Sequence, residues 1–260
     1  MRAQPAARET SIAERWRWVT ERVAAAAARV GRRAEEVRII AVTKTVAAPR
    51  VVEAVAAGAR EFGENRVQEA RAKVAEARTL LRQGAGDGEE AWQAPPPGAV
   101  TPRWHLIGHL QKNKVKHIFD LFCMVHSVDS LELAEEIERR GVGAGRVMPI
   151  LLEVNIAAQA QKFGLPDDEV AGVAERVGKL AHVRLQGLMA IPPLSEDAET
   201  SRPYYAQVRR LAREIAALRL PGVGMDELSM GMTNDFEVAV EEGATMVRIG
   251  TAIFGPRPLS

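Results

Sequence analysis

The sequence predicts an α/β fold, a single closed (β/α)8 barrel of the TIM type with an extra N-terminal helix. The chain has 260 residues, a length that many single-domain barrels share. Eight short apolar segments suit β-strands, and the stretches between them have the amphipathic pattern of helices. An open doubly wound sheet is the alternative, but it usually has fewer strands and would leave two exposed edges. The strand count therefore favours a closed barrel.

The extra helix is predicted over Ser11 to Val30. Ser11 can cap its first turn, Glu14 follows three residues later as in a capping box, and the alanine-rich stretch after it favours helix. Gly31 is expected to end it. Because little chain remains after Gly255, we expect this helix to fill the eighth helix position around the barrel.

The remaining elements follow in alternation along the chain. The predicted strands are Arg38 to Thr43, Glu61 to Gly63, Trp104 to Gly108, Met124 to Val128, Pro149 to Asn155, Leu185 to Ile191, Glu227 to Met230 and Met246 to Gly250. The predicted helices between them are Pro49 to Ala57, Asn65 to Leu81, Gln111 to Phe119, Ser130 to Arg139, Asp167 to Leu180, Glu199 to Leu218 and Asn234 to Glu241. Pro49 and Asp167 suit helix starts, whereas Gly58, Gly141 and Gly243 suit helix ends.

Two segments stand apart from this alternation. Residues 1–10 are polar and are expected to form a flexible N-terminus, so that the barrel comprises residues 11–260. Residues 83–103 are rich in glycine and proline, which predicts a mobile surface insertion within the barrel and not a domain boundary.

Composition narrows the class of protein. Hydrophobic residues make up 47% and charged residues 27% of the chain, with a formal net charge of +1, so no global field favours nucleic acid or a membrane surface. No apolar stretch approaches the roughly 18 residues of a membrane span, and Met1 to Thr10 lacks the apolar core of a secretory signal. The single cysteine, Cys123, suits a reducing compartment. We expect a cytoplasmic protein, most simply a monomer.

Active sites of such barrels lie at the carboxyl ends of the strands, and phosphate groups often bind after strands seven and eight. Lys44 follows the first predicted strand and Asn65 the second, while residues 229–233 and 248–251 end the seventh and eighth. In a closed barrel the first and eighth strands are neighbours. Lys44 and Arg248 are therefore expected to face the same mouth, beside two glycine-containing turns that can offer amides to an anion.

Each feature also has a simpler explanation. A lysine at a strand end is usually a solvated charge, the Ser-Met-Gly-Met segment could be a capping turn, and Arg248 could pair with Glu153. The convergence of the features on one face favours a binding site.

Seven segments of the chain resemble the YggS/PROSC family of pyridoxal 5′-phosphate (PLP)-binding proteins, the PLP homeostasis proteins. They span most of the chain and comprise Ala41 to Thr45, Phe62 to Glu69, Trp104 to Lys114, Glu153 to Asn155, Gly187 to Met189, Ser229 to Phe236 and Val247 to Gly255. The resemblance implies a fold similar to the N-terminal barrel of alanine racemase. The long insertion and the Ala157-Ala158 pair depart from the family pattern, and neither touches the site segments.

The resemblance also implies the roles of individual residues. Lys44 would hold PLP covalently as a Schiff base, Arg248 would face the pyridine nitrogen, and Ser229, Gly250 and Thr251 would hold the phosphate. The complete set of cofactor-binding residues is expected to be Lys44, Asn65, Ser229, Met230, Gly231, Arg248, Gly250 and Thr251.

Physical chemistry is consistent with these roles. A Schiff base needs a neutral amine, whereas free lysine has a pKa of about 10.4. Partial burial and the Arg248 cation would both favour the neutral form of Lys44. A guanidinium gives no proton to the pyridine nitrogen, which leaves the ring a poorer electron sink and disfavours transaminase-like chemistry.

An amino-acid racemase, or another small PLP-dependent enzyme, is the alternative function. Two-base racemisation needs a second acid/base opposite the lysine, which in alanine racemase is a tyrosine of a separate C-terminal domain. The sequence ends at Ser260, so we expect that domain to be absent, and the only tyrosines, Tyr204 and Tyr205, are predicted to lie away from the site. A homeostasis protein without turnover, with PLP-requiring apoenzymes as possible recipients, is therefore favoured.

Other polar residues are given structural roles. Lys112, Lys114 and Lys116 are expected to form a solvated face and not a nucleic-acid site, and Trp16 and Trp18 to dock the N-terminal helix. No metal site is expected, because no metal-ligand pairing with Cys, Asp or Glu is evident for His105, His109, His117, His126 and His182.

Overall fold

Eight parallel strands close into a barrel in a computed structural model that describes residues 10–83, 101–157 and 163–256. Each strand pairs with the next along the chain, and the last pairs with the first. The predicted closed barrel is confirmed. Its strands are β1 (Arg38–Val42), β2 (Glu61–Glu64), β3 (Arg103–Leu106), β4 (Met124–Val128), β5 (Met148–Val154), β6 (Val183–Ala190), β7 (Val223–Ser229) and β8 (Met246–Ile249).

Helices surround the barrel in the predicted order. They are α1 (Ile12–Arg29), α2 (Ala48–Ala56), α3 (Val67–Gln83), α4 (Leu131–Ala144), α5 (Asp167–Val177), α6 (Arg202–Ala217), α7 (Phe236–Glu241) and α8 (Thr251–Phe254). Short 3₁₀ helices cover Ala34–Glu36, Lys112–His117 and Ala198–Ser201.

The helix predicted over Gln111 to Phe119 is a 3₁₀ helix and not an α-helix. Its two buried anchors, Val115 and Ile118, are three residues apart, and the amide of Ile118 donates to the carbonyl of Val115. A 3₁₀ helix aligns residues i and i+3, so this tighter winding places both apolar side chains against the barrel.

The extra helix α1 packs against the helices that flank β1 and β8, where we expected it to fill the eighth helix position. Ser11 and Glu14 form the predicted capping box, and α1 contacts α2, α7 and α8. Trp18 of α1 packs edge-on against Phe236, with ring centroids 6.5 Å apart, and Arg22 forms an ion pair with Glu237. A short α8 of only four residues does follow β8, and α1 packs against it.

Two apolar layers hold the fold. The larger cluster fills the space between the strands and the helices. The smaller one lies inside the barrel and consists of Ile40, Met124, Leu151, Met189 and Met246. The polar side chains of His105, His126, Ser229 and Arg248 are also buried.

Several predictions fall outside the described residues. These are the flexible N-terminus except Thr10, the glycine- and proline-rich insertion except its edges at 83 and 101–103, and Ala158 of the Ala157-Ala158 pair. None of the helices in the described ranges has the length and apolar character needed to cross a bilayer.

Candidate functional site

A cavity of about 460 Å³ opens at the carboxyl ends of the strands. It brings together five of the eight residues that the sequence predicted for the site: Lys44, Asn65, Arg248, Gly250 and Thr251. The remaining lining residues are Val42, Ile107, Ile191, Pro193, Leu194, Ser195, Met232, Thr233, Asn234 and Asp235. The predicted convergence of strand ends on one mouth is therefore present.

Lys44 occupies a tight turn directly after β1. Its side chain is half-buried at the cavity, and the next residue, Thr45, has a φ of 64°. A non-glycine residue rarely adopts this left-handed conformation, which is a sign that the surrounding structure fixes the turn.

A buried ion pair stabilises that turn from behind. The Lys73 ammonium on α3 donates to a Glu64 carboxylate oxygen at 2.6 Å and also to the carbonyl oxygen of Thr43. The Thr43 hydroxyl donates to the same Glu64 oxygen at 2.6 Å. Glu64 is completely buried, so the pair joins the ends of β1 and β2 to α3 immediately before Lys44. Sequence analysis missed this network because it depends on a contact between α3 and the strand ends.

Asn65 is held at the mouth by a close backbone approach. A Cβ atom on Gly108 would lie 2.5 Å from the Asn65 carbonyl oxygen and 2.8 Å from its Cα. Real Cβ atoms do not approach backbone so closely. Only glycine therefore fits at position 108 while the Asn65 loop keeps its place.

Arg248 lies at the floor of the cavity with its guanidinium in a fixed orientation. Its Nη1 donates to the Ser229 carbonyl oxygen and the Ser229 hydroxyl, both at 2.6 Å, and its Nη2 donates to the Ala190 carbonyl oxygen at 3.0 Å. Burial lowers the pKa of Arg248, and the nearby Tyr205, Glu153 and Asp235 act in the opposite direction. Its hydrogen bonds go to β6 and β7, not to Glu153, the partner considered from the sequence.

Three predicted cofactor ligands lie beneath the cavity surface. Ser229 and Met230 are completely buried, and Gly231 occupies a turn with φ +90° where a Cβ would lie 2.4 Å from the Ala239 Cβ. The Ser229 hydroxyl is within hydrogen-bond distance of His126 and Arg248 in the barrel interior. It is therefore placed to hold Arg248, whereas Thr233 and Asn234, later in the same motif, reach the cavity.

Glu153 is the buried acid near this floor. Burial and the neighbouring Asp129 carboxylate raise its pKa to about 7, although Arg248 acts in the opposite direction. Glu153 therefore titrates close to neutral pH inside the barrel.

Tyr205 is nearer the site than the sequence predicted. Its hydroxyl donates to an Asp235 carboxylate oxygen at 2.7 Å, and Asp235 lines the cavity. The prediction that both tyrosines lie away from the site is therefore wrong for Tyr205. Its side chain is nevertheless completely buried, because α6 packs its phenol beneath the loop that follows β7.

A row of polar side chains runs through the barrel interior from Arg248. Ser229 Oγ lies 2.8 Å from His126 Nδ1, and His126 Nε2 lies 2.8 Å from His105 Nδ1. At the far end, His105 Nε2 lies 2.7 Å from a Glu61 carboxylate oxygen and 3.5 Å from Cys123 Sγ. Burial, then the His105 and Arg248 charges, lower the pKa of His126 well below its ordinary value, which favours its neutral form.

The sequence showed no pairing of a histidine with possible metal ligands, but in the structure His109 contacts Asp129, His182 contacts Glu138, and His105 contacts both a carboxylate and a thiol. Glu61, His105 and Cys123 come from three different strand regions, and only the closed barrel brings them together. In the sequence, the only sign of this cluster was the alternation of inward-facing and outward-facing residues along the predicted strands.

Comparisons with known proteins agree with this fold. The family model described as "Alanine racemase, N-terminal domain" matches residues 19–258. An alanine racemase structure from Clostridium difficile is 15% identical with a TM-score of 0.63, and the match covers 95% of this chain but 58% of that one. The molecule is thus a barrel of the alanine racemase N-terminal class.

Relatives of nearly the same length define the family further. A "Pyridoxal phosphate homeostasis protein" of Aquifex aeolicus is 38% identical over 94% of this chain and 97% of its own. One from Escherichia coli K12 is 36% identical over 96% and 98%. The chain belongs to the pyridoxal phosphate homeostasis protein family. PipY of Synechococcus elongatus, solved with PLP bound, is 36% identical with a TM-score of 0.76 and covers 94% of this chain and 100% of its own.

Proposed function

We propose that this protein binds PLP as a Schiff base on Lys44 and acts in intracellular PLP homeostasis and amino-acid balance. The observation that carries the proposal is the convergence of Lys44 and the fixed Arg248 on one cavity at the barrel mouth. Relatives named as PLP homeostasis proteins and the PLP-bound PipY structure support the choice of cofactor.

The residues of the cavity fit the chemical groups of PLP. Its aldehyde requires an amine, which Lys44 supplies, and its phosphate requires convergent donors. Gly250 and Thr251 stand at the first turn of α8, where the first amides of a helix have no partner within the helix. The Thr233 hydroxyl and the Asn234 side chain belong to the same cavity. We infer that these four residues, with Asn65, hold the cofactor.

When bound, PLP would supply an aldehyde and an electron-withdrawing ring for chemistry at amino groups. Arg248 can donate to the pyridine nitrogen, but it does not readily give up a proton. The Ser229 and Ala190 contacts restrict this guanidinium to one orientation. The pyridine nitrogen would therefore stay unprotonated, which weakens the electron withdrawal that PLP enzymes use.

We further propose that the protein does not turn amino acids over. A racemase needs a second acid/base on the face opposite the lysine. Among the described residues, Tyr205 is completely buried with its hydroxyl committed to Asp235. Its burial and the Asp235 charge also raise its pKa, which disfavours proton release.

Borohydride trapping tests the binding site. Reduction of the yellow holoprotein should bleach it and fix one cofactor on Lys44, as peptide mass spectrometry would show. Lys44→Ala should fold normally and lose the adduct. Lys112→Ala, which alters an exposed lysine, should keep it. Labelling that persists in Lys44→Ala would refute the assignment.

A transfer assay tests the function. Holoprotein should restore activity to a PLP-requiring apoenzyme while showing no racemisation of common L- and D-amino acids. Turnover of any amino acid at roughly 1 per second or faster, within the ordinary enzyme range, would favour the racemase alternative. Failure of transfer with intact trapping on Lys44 would leave cofactor storage as the function.

A further inference from the structure

Glu61, His105 and Cys123 form a compact cluster at the end of the barrel opposite the cavity. Glu61 begins β2 and Cys123 immediately precedes β4, whereas the cavity residues follow the strands. One ligand atom from each of the three side chains lies within 4.8 Å of the other two. The His105 ring is completely buried, and Cys123 is half-buried. The cluster thus has both a buried nitrogen donor and a side that an ion can reach.

The buried hydrogen bonds orient His105 toward this cluster. Its Nδ1 faces His126 Nε2 at 2.8 Å, which leaves Nε2 directed at Glu61 and Cys123. A neutral imidazole has one bare nitrogen, so His126 can accept a hydrogen bond from His105 Nδ1–H when His105 Nε2 gives its lone pair to a cation. Histidines that bind metals almost always have their second nitrogen hydrogen-bonded in this way.

We propose that Glu61, His105 and Cys123 bind a divalent transition-metal ion, with Zn²⁺ as the preferred ion. Imidazole nitrogen, thiolate sulfur and carboxylate oxygen are the three donor types of zinc sites, and a three-residue set leaves the fourth position to water. The ion replaces two protons. One is shared by His105 Nε2 and the Glu61 carboxylate, and the other is the thiol proton of Cys123. Binding therefore releases these protons to solvent.

The observed distances require only small movements. Zinc bonds of about 2.0–2.3 Å in a tetrahedron place ligand atoms roughly 3.3–3.8 Å apart. His105 Nε2 and Cys123 Sγ are already 3.5 Å apart, whereas Nε2 and the Glu61 oxygen are 2.7 Å apart and must separate. Arg103 contacts the other Glu61 oxygen at 3.3 Å, and its side chain is 53% exposed, so it can move outward as the ion enters.

Cobalt provides a direct test because the chain has a single cysteine. Full-length protein titrated with Co²⁺ should bind one equivalent and develop a thiolate-to-cobalt charge-transfer band, which can come only from Cys123. Zn²⁺ should displace Co²⁺ and protect Cys123 from alkylation. Cys123→Ser should lose the band and weaken Zn²⁺ binding by about tenfold or more, a loss at least as large as those seen on removing outer-shell partners.

Two controls separate this site from others. His182→Ala removes a His–Glu pair that lacks a thiol and should leave the Co²⁺ spectrum unchanged. Lys44→Ala should also keep it, so the result does not depend on PLP binding. Two results would overturn the proposal. The first is that the wild-type protein binds Co²⁺ without a thiolate band, and the second is that it binds neither Co²⁺ nor Zn²⁺ at micromolar concentrations.

Discussion

The Lys73–Glu64 pair beneath the Lys44 turn should be a large single contributor to stability. Glu64 is completely buried and the Lys73 side chain is 11% exposed. Lys73→Met would leave the Glu64 carboxylate with the Thr43 hydroxyl, while its other oxygen already has no partner. Removing one member of a buried pair costs about 3–5 kcal/mol, because the remaining charge is uncompensated. We expect Lys73→Met to lower the free energy of unfolding by about 3 kcal/mol.

Urea denaturation followed by circular dichroism measures this loss. For a slope near 3 kcal/mol per molar urea, the midpoint should fall by about 1 M. Lys179→Met is the matched control, because the Lys179–Glu175 pair is mostly exposed and such pairs contribute roughly 0.2–1 kcal/mol. The double variant Lys73→Met/Glu64→Gln should recover part of the stability by removing the isolated charge. A midpoint for Lys73→Met equal to that of Lys179→Met would refute the reasoning.

Two further outcomes are expected. Gly108→Ala should displace Asn65 and weaken PLP binding, which absorbance titration measures. Gly143→Ala is the control, because the added Cβ meets no atom within 4 Å, and it should leave PLP binding unchanged. Equal PLP affinity in the two variants would contradict the close approach of Gly108 to Asn65. Glu153 has a folded pKa of about 7 against 4.5 ordinarily, so its stabilising contribution is full below pH 4.5 and is lost as pH rises through 7. The free energy of unfolding of Glu153→Gln should therefore rise relative to that of the wild-type protein by about 3 kcal/mol over that range, and the exposed Glu196→Gln is the control.

Much of the fold could be predicted because each unit of it is local. Apolar runs such as Arg38 to Thr43 alternate with amphipathic stretches at every position around the barrel, and Ser11 with Glu14 marks the start of α1. One exception is the 3₁₀ helix at Lys112–His117, which depends on the three-residue spacing of Val115 and Ile118 against strands that the local pattern does not describe.

The sequence by itself determined the strand order, the mouth at which chemistry should occur and the meeting of Lys44 with Arg248, because chain order and strand direction decide these. Only the tertiary structure decided which way side chains point and which partners they meet across the barrel. It turned the Ser229 hydroxyl inward toward His126 and Arg248, and it joined Glu61 to His105, 44 residues away. Such contacts follow from barrel closure and strand register, which put residues distant in sequence within hydrogen-bond reach.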